Sequence, residues 1–152
     1  MDVQNEIMEF MKAAKEEACI AKACGEVPIG AVIVKDGVII AKAHNMKETM
    51  KDCTAHAEIL AIKKASEIIR DWRLTGCHMY VTLEPCPMCA SAISQSRMSK
   101  VFIGTFNKEM GACGSIMNLL DKRGINSFTD VKWLYDEECA DILCEFFEEN
   151  RK

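Results

Sequence analysis

Residues 77–96 read CHMYVTLEPCPMCASAISQS, and the rest of the chain is best read outward from them. Cys77 to Leu83 is a short apolar run holding Tyr80, Val81 and Thr82, the composition of a buried strand. Pro85 ends that run. Because proline suits a first helical turn, a helix is expected from about Cys86 to Ser96. A strand that runs straight into a helix is half of a β-α-β unit. Cys86 and Cys89 fall at the junction, at a spacing that puts both thiols on one side of the helix start.

The flanking sequence repeats the alternation. Upstream, residues 2–24 carry Ile7, Phe10, Met11, Ala14, Ala18 and Ala21 at helical spacing, and Gly25 and Pro28 supply the stop. Ile29–Val34 and Val38–Ala43 are β-rich, with Lys35-Asp36-Gly37 as a hairpin turn between them. His44–Asp52 is polar and loop-like. A helix fits Thr54–Ile69, with Ile59, Ile62 and Ala65 as its stripe and Asp52 or Thr54 as its cap. Downstream come a strand at Val101–Gly104, a glycine-bearing loop at Thr105–Ser115 and a short helix at Ser115–Leu120. A last strand is expected at Val131–Leu134. Asp136–Glu149 closes as a helix with Ile142, Leu143, Phe146 and Phe147 inward. This order predicts one α/β domain over 1–152, with helices on both faces of a mixed sheet: an antiparallel hairpin first, parallel strands after it.

Bulk composition narrows the function. Hydrophobic residues make up 49% and charged residues 28%, the balance of a globular protein with a core of its own. No run approaches the ~18 apolar residues of a membrane span. The segment Met1–Phe10 holds Asp2, Glu6 and Glu9 where an export signal needs a basic start, so a cytoplasmic location is expected. Nine cysteines, an odd number without an export signal, argue against a disulfide framework. Cys19, Cys24, Cys53, Cys77, Cys113, Cys139 and Cys144 are read as small hydrophobes, with Cys53 noted for its nearness to His56. The net charge of −4 does not advertise nucleic-acid binding.

The chemistry lies in His56-Ala57-Glu58 taken with Pro85-Cys86-Pro87-Met88-Cys89. Two thiolates and one imidazole make three zinc ligands, which leave the fourth tetrahedral position to water, the arrangement of a catalytic site. A closed structural site would need a fourth Cys or His, and no second C-x-x-C or paired His is present. Both ligand-bearing segments are expected at helix N-termini, whose partial positive charge steadies thiolates. Glu58, two residues past His56, reaches the water without binding the metal. It can take a proton from that water, pass it to a ring nitrogen and later give one to leaving ammonia. A lone C-x-x-C also serves structural zinc or a redox pair, but neither explains His56 and Glu58. The joint pattern, His-x-Glu then Pro-Cys-x-x-Cys, is that of zinc deaminases.

At these residues the sequence resembles the tRNA-specific adenosine deaminases, the TadA-type branch of the cytidine deaminase superfamily. The resemblance runs from about Glu26 to Phe147. It rests on Glu26-Val27-Pro28-Ile29-Gly30-Ala31-Val32, Asn45, Thr54-Ala55-His56-Ala57-Glu58-Ile59, Tyr80 to Ala90, Gly111-Ala112-Cys113-Gly114-Ser115 and the closing Phe146-Phe147. It implies a three-layer α/β/α fold with a mixed five-stranded sheet, cytidine deaminase-like, and a homodimer with one zinc per subunit. It implies conversion of adenosine to inosine at the wobble position of a tRNA anticodon loop. It also implies site roles. His56, Cys86 and Cys89 would hold zinc, and Glu58 would be catalytic. Asn45 would hydrogen-bond the base, Val27 and Ile29 would line its pocket, and the Ala57 backbone N–H would touch it. The loop Thr105–Gly114 and Phe147 would meet neighbouring nucleotides, with Asn107 near a nucleotide sugar. The chain departs from the pattern at Asn107, where members often carry Asp, and at Glu145-Phe146-Phe147-Glu148-Glu149-Asn150-Arg151-Lys152, which is less basic than usual. Cations available for RNA include Lys47, Lys51, Lys108, Lys122 and Arg123. Two alternatives stay open: a deaminase of a free base or nucleoside such as guanine, cytosine or cytidine, which the acidic charge suits, and a non-enzymatic zinc-binding domain.

Overall fold

The structure, a computed structural model, describes residues 2–121 and 128–150. Lys122, Arg123, Arg151 and Lys152 lie outside the described residues. The elements are α1 (Val3–Ala23), β1 (Gly30–Lys35), β2 (Val38–His44), α2 (Lys47–Met50), α3 (Ala57–Ile69), β3 (Cys77–Leu83), α4 (Pro87–Gln95), β4 (Lys100–Thr105), β5 (Asp130–Trp133) and α5 (Glu137–Glu149).

The five strands form one sheet in the order β2-β1-β3-β4-β5. β1 pairs antiparallel with both β2 and β3, and β3, β4 and β5 run parallel. Strand periodicity divides the core in two. Ala31, Ile33, Met79, Val81, Val101 and Ile103 pack on one face with Ala57, Ala61 and Ala65 of α3 and Ala90 and Ile93 of α4. Val32, Val34, Tyr80 and Phe102 pack on the other with Met11 and Ala14 of α1 and Cys139 of α5. The Tyr80 and Phe102 rings stack there at 4.4 Å. The layering is therefore α/β/α. Gly30 sets how closely α1 approaches: a Cβ there would run into the Ala14 carbonyl and come within 2.6 Å of the Ala18 nitrogen. Truncating a buried side chain such as Ile33 or Met79 to alanine would cost about 2–5 kcal/mol. Among the described residues, no helix is long and apolar enough to cross a membrane.

Several local expectations need correction. The α3 cap is His56, not Asp52 or Thr54. The Asp52 carboxylate is used nearby instead, accepting from the Thr54 N–H at 2.8 Å and its hydroxyl at 2.7 Å. Pro87, not Pro85, occupies the first turn of α4, and Cys86 is its N-cap. The polar stretch after β2 contains the short α2. No helix forms over Ser115–Leu120. Hydrogen bonds from Leu119 N to the Ala112 carbonyl (2.8 Å) and from Gly114 N to the Met117 carbonyl (2.9 Å) fold it into a tight turn instead. Phe147 does not point inward: it is 56% exposed, while Phe146 beside it is buried.

Candidate functional site

The end of β3 and the N-termini of α3 and α4 meet at one place. His56 holds the N-cap of α3 with extended backbone, and Cys86 does the same for α4, so Cys89 sits in the first turn. Each cap position lets the side chain project past the helix end, beside unpaired N–H groups that favour negative charge. The ligating atoms of His56, Cys86 and Cys89 all lie within 4.8 Å of one another. The His56 Nδ1 is 3.6 Å from the Cys86 sulfur and 3.5 Å from the Cys89 sulfur. Tetrahedral zinc with ordinary Zn–N and Zn–S bonds requires a nitrogen–sulfur separation of about 3.5 Å. The donor set and its spacing fit that ion through Nδ1, and three donors leave room for one more ligand. Among the described residues this is the group of His, Cys, Asp and Glu side chains placed to hold a metal.

The thiols are unequal. Hydrogen bonding from Cys89, helped by His56, outweighs burial and holds the Cys86 thiol down at about 4. The Cys89 thiol is pushed up by its hydrogen bond to Cys86 and by burial. The hydrogen bond to Cys86 also raises the His56 imidazole, against the opposing effect of burial. Glu58, in the first turn of α3, is buried beside them. Burial pushes its carboxyl up to about 7, with the nearby Cys86 adding to the effect. Such a group exchanges a proton near neutrality.

The residues expected around a base are partly brought together. Asn45 is buried at the end of β2, its backbone N–H bonded to the Ile29 carbonyl at 3.0 Å. Its side chain donates to the Val27 carbonyl at 3.2 Å and accepts from Lys47 N at 3.2 Å. Asn45 is thereby tied to the backbone of Val27 and Ile29, and Ala57 is fully buried at the start of α3. Asn107 accepts from the N–H groups of Glu109 (3.3 Å) and Met110 (3.1 Å), closing a turn after β4. Phe147 sits apart, edge-on to Phe146 on α5, in the layer on the other side of the sheet from α3 and α4.

Two further carboxylates organise the surroundings, and the sequence reading missed both. Glu84 accepts from the N–H groups of Asn107 (3.1 Å), Cys113 (3.0 Å) and Ser115 (3.0 Å), and from the Ser115 hydroxyl. It ties the whole 107–115 loop to the residue that precedes Pro85-Cys86. A Cβ on Gly111 would come within 2.5 Å of the Glu84 carboxylate, so the loop closes over it only with glycine there. Glu26 accepts from the Glu48 N–H (3.0 Å) and from the Thr49 N–H (2.6 Å) and hydroxyl (2.5 Å). Burial alone would raise the Glu26 carboxyl; the Thr49 and Glu48 donors outweigh it and hold it below its ordinary value. A glutamate closing an apolar run is the one sequence signal for Glu84. Its donors come from a distant loop, so spacing carries no trace of them.

With this geometry in view, the comparisons with known proteins are specific. Residues 4–105 match the family described as the cytidine and deoxycytidylate deaminase zinc-binding region. The chain is 49% identical over 144 residues to a tRNA-specific adenosine deaminase of Bacillus subtilis, covering 94% of this chain and 89% of that one. A solved structure from studies of A-to-I editing by tRNA:A34 deaminases at the wobble position superposes with a TM-score of 0.80 at 41% identity, covering 84% of this chain and 98% of that chain. A guanine deaminase structure from Bacillus subtilis superposes with a TM-score of 0.64 at 40% identity, covering 72% of this chain and 68% of that chain. The chain belongs to the cytidine and deoxycytidylate deaminase zinc-binding family.

Proposed function

We propose that the chain, acting over residues 1–152 as one domain, hydrolyses adenosine to inosine at the wobble position of tRNA. The observation that carries this is the three-donor cluster at zinc spacing with a buried glutamate of raised proton affinity beside it. The tRNA-specific relative, matched over nearly the full length of both chains, supports the substrate. His56, Cys86 and Cys89 would hold zinc, one ion per subunit, which would supply a Lewis acid able to lower the pKa of water toward about 7.

The chain's own residues do the rest. Glu58 takes a proton from the attacking water and delivers it to the ring nitrogen. It then takes the second proton, from the hydroxyl newly added to the ring carbon, and gives it to the departing amine, so that water and adenosine become inosine and ammonia. Burial around Glu58 raises its proton affinity to about neutrality. Asn45 presents its amide to the base edge, held in place by Val27 and Lys47. Val27 and Ile29 wall the ring, and the Ala57 N–H, unpaired at a helix start, is a further donor. Asn107 and Phe147 meet nucleotides outside the pocket.

The reading includes a homodimer, supported by an open groove on the outer side of α3 and α4 lined by Ile59, Ile62, Trp72, Met88 and Ala92. It also includes a cytoplasmic location, supported by nine free cysteines, which suit a reducing compartment. The likeness to guanine deaminase favours a second reading, action on a free base, but at a lower TM-score and over less of the chain. The test is incubation of zinc-loaded protein with an anticodon stem-loop bearing the wobble adenosine, and separately with adenosine, guanine, cytosine and cytidine. Inosine in the stem-loop is the expected product. Ammonia released only from a free base or nucleoside would replace the tRNA reading with the second, and no turnover at all would leave a zinc-binding domain.

A further inference from the structure

Three aromatic rings gather just past the carboxyl ends of β4 and β5. Phe106 and Trp133 have centroids 4.8 Å apart, Phe106 and Tyr135 5.6 Å, and Trp133 and Tyr135 6.1 Å. Phe106 is 46% exposed and Tyr135 64% exposed. A soluble chain gains by covering such rings at ~25 cal/mol per Å² of apolar surface, so leaving two of them open together calls for a reason.

Register places the cluster. Trp133 pairs with Ile103, whose side chain lies in the core under α3 and α4, and Trp133 packs against that same core. The rings are thus on the face of the sheet that carries the metal-ligand helices. Leu83 pairs with Thr105, so Phe106 and Pro85-Cys86 leave neighbouring parallel strands at nearly the same level. One strand spacing and two or three residues of rise separate them, on the order of 10 Å. This is the side of an open α/β sheet on which ligands sit, beyond the strand carboxyl ends.

The backbone holds the cluster at a cost. Tyr135 has φ of 52°, a left-handed conformation unfavourable for a bulky residue by about 1–2 kcal/mol. Hydrogen bonds from Leu134 N to the Ile103 carbonyl (2.9 Å) and from Asp136 N to the Gly104 carbonyl (2.8 Å) lock it there from both sides. The ring is thereby turned toward Phe106 and solvent. Lys108 follows two residues after Phe106, whereas Lys132 pairs with Phe102 and belongs to the opposite face of the sheet. Exposed rings at the metal-ligand end of the sheet match unpaired nucleotides, which stack on aromatic faces.

We propose that Phe106, Trp133 and Tyr135 form a stacking platform for an unpaired base of the RNA substrate adjacent to the base that enters the metal site. The proposal rests on the tRNA reading above and adds a subsite to it. The test compares wild type with Phe106→Ala, Tyr135→Asn, which accepts the left-handed backbone, and Tyr135→Phe. Each is assayed on the anticodon stem-loop, with zinc content and melting temperature measured alongside. The expected result is a KM for the stem-loop raised roughly five- to a hundredfold in the first two, with kcat little changed and Tyr135→Phe restoring the wild-type value. A stem-loop with an abasic nucleotide at the stacked position should remove the difference between wild type and variants. Binding of the stem-loop to Glu58→Ala protein carrying Trp72→Phe should quench Trp133 fluorescence. Unchanged KM in Phe106→Ala and Tyr135→Asn, while wild type edits the stem-loop, overturns the platform and leaves the tRNA reading standing. A change in oligomeric state without a change in KM overturns it in favour of a protein contact. A wild-type enzyme inert toward the stem-loop but active on a free base overturns the tRNA reading first, and the platform with it.

Discussion

Glu58 and Glu84 are both buried, at 4% and 1% exposure, and both stand beside the same metal-ligand cluster, yet the fold treats them in opposite ways. Glu84 is given four donors, three backbone N–H groups and one hydroxyl, gathered from a loop far along the chain. Glu58 has only its own backbone N–H and the Cys89 thiol as donors; burial outweighs them, Cys86 adds to it, and its carboxyl rises to about 7. The cost of taking a carboxylate out of water can be met by donors or left standing as proton affinity. Where it is met, the residue becomes architecture and holds a loop. Where it is left, the residue has the proton affinity that acid–base work requires. Burial alone does not tell the two apart; the donor inventory does.

The comparison breaks most visibly if Glu58 proves structural. Glu58→Ala should lower kcat on the stem-loop by roughly 10²–10⁴ while zinc content and melting temperature hold. Metal analysis and a thermal melt beside the assay would show whether activity instead falls together with zinc or with the fold. Glu84→Ala should do the reverse in kind. Buried donors without their acceptor should cost about 3 kcal/mol, a fall in melting temperature of roughly 6–12 °C for a chain of this size. Glu84→Gln, which keeps the shape but turns two donors against a donor, should fall between. An unchanged melt for Glu84→Ala would remove its architectural role.

Glu26 sharpens the comparison with a smaller, pH-dependent effect. Its folded carboxyl lies below the ordinary value of 4.5, so it contributes stability that is present above that value. That stability is lost as pH falls through the folded value. Urea melts at pH 7, 5, 4 and 3 should show Glu26→Gln less stable than wild type at pH 7, with the gap closing in acid. A gap that widened in acid would contradict the sign.

What was legible in advance was what neighbours in the chain decide. The alternation of Ala31, Ile33 and Val32, Val34, the stripe of α1 and the Lys35-Asp36-Gly37 turn each act over a few residues, and the elements formed within a residue or two of expectation. Helix boundaries moved wherever a cap side chain found other work, as Asp52 did with Thr54. The helix expected at Ser115–Leu120 failed because Glu84 and Ala112 draw that backbone into a turn from outside it.

By itself, the sequence determined the donor set, one imidazole and two thiols, because ligand types and their spacing within a helix start are local properties. His56-Ala57-Glu58 and Cys86-Pro87-Met88-Cys89 carry it in two short stretches. Only the tertiary structure decided that β1 runs antiparallel beside the central β3, that Glu84 grips the 107–115 loop, and that Phe106 meets Trp133 and Tyr135. Those depend on which residues end up within a few ångströms after strands from distant parts of the chain have paired, and no pattern along the chain records that distance.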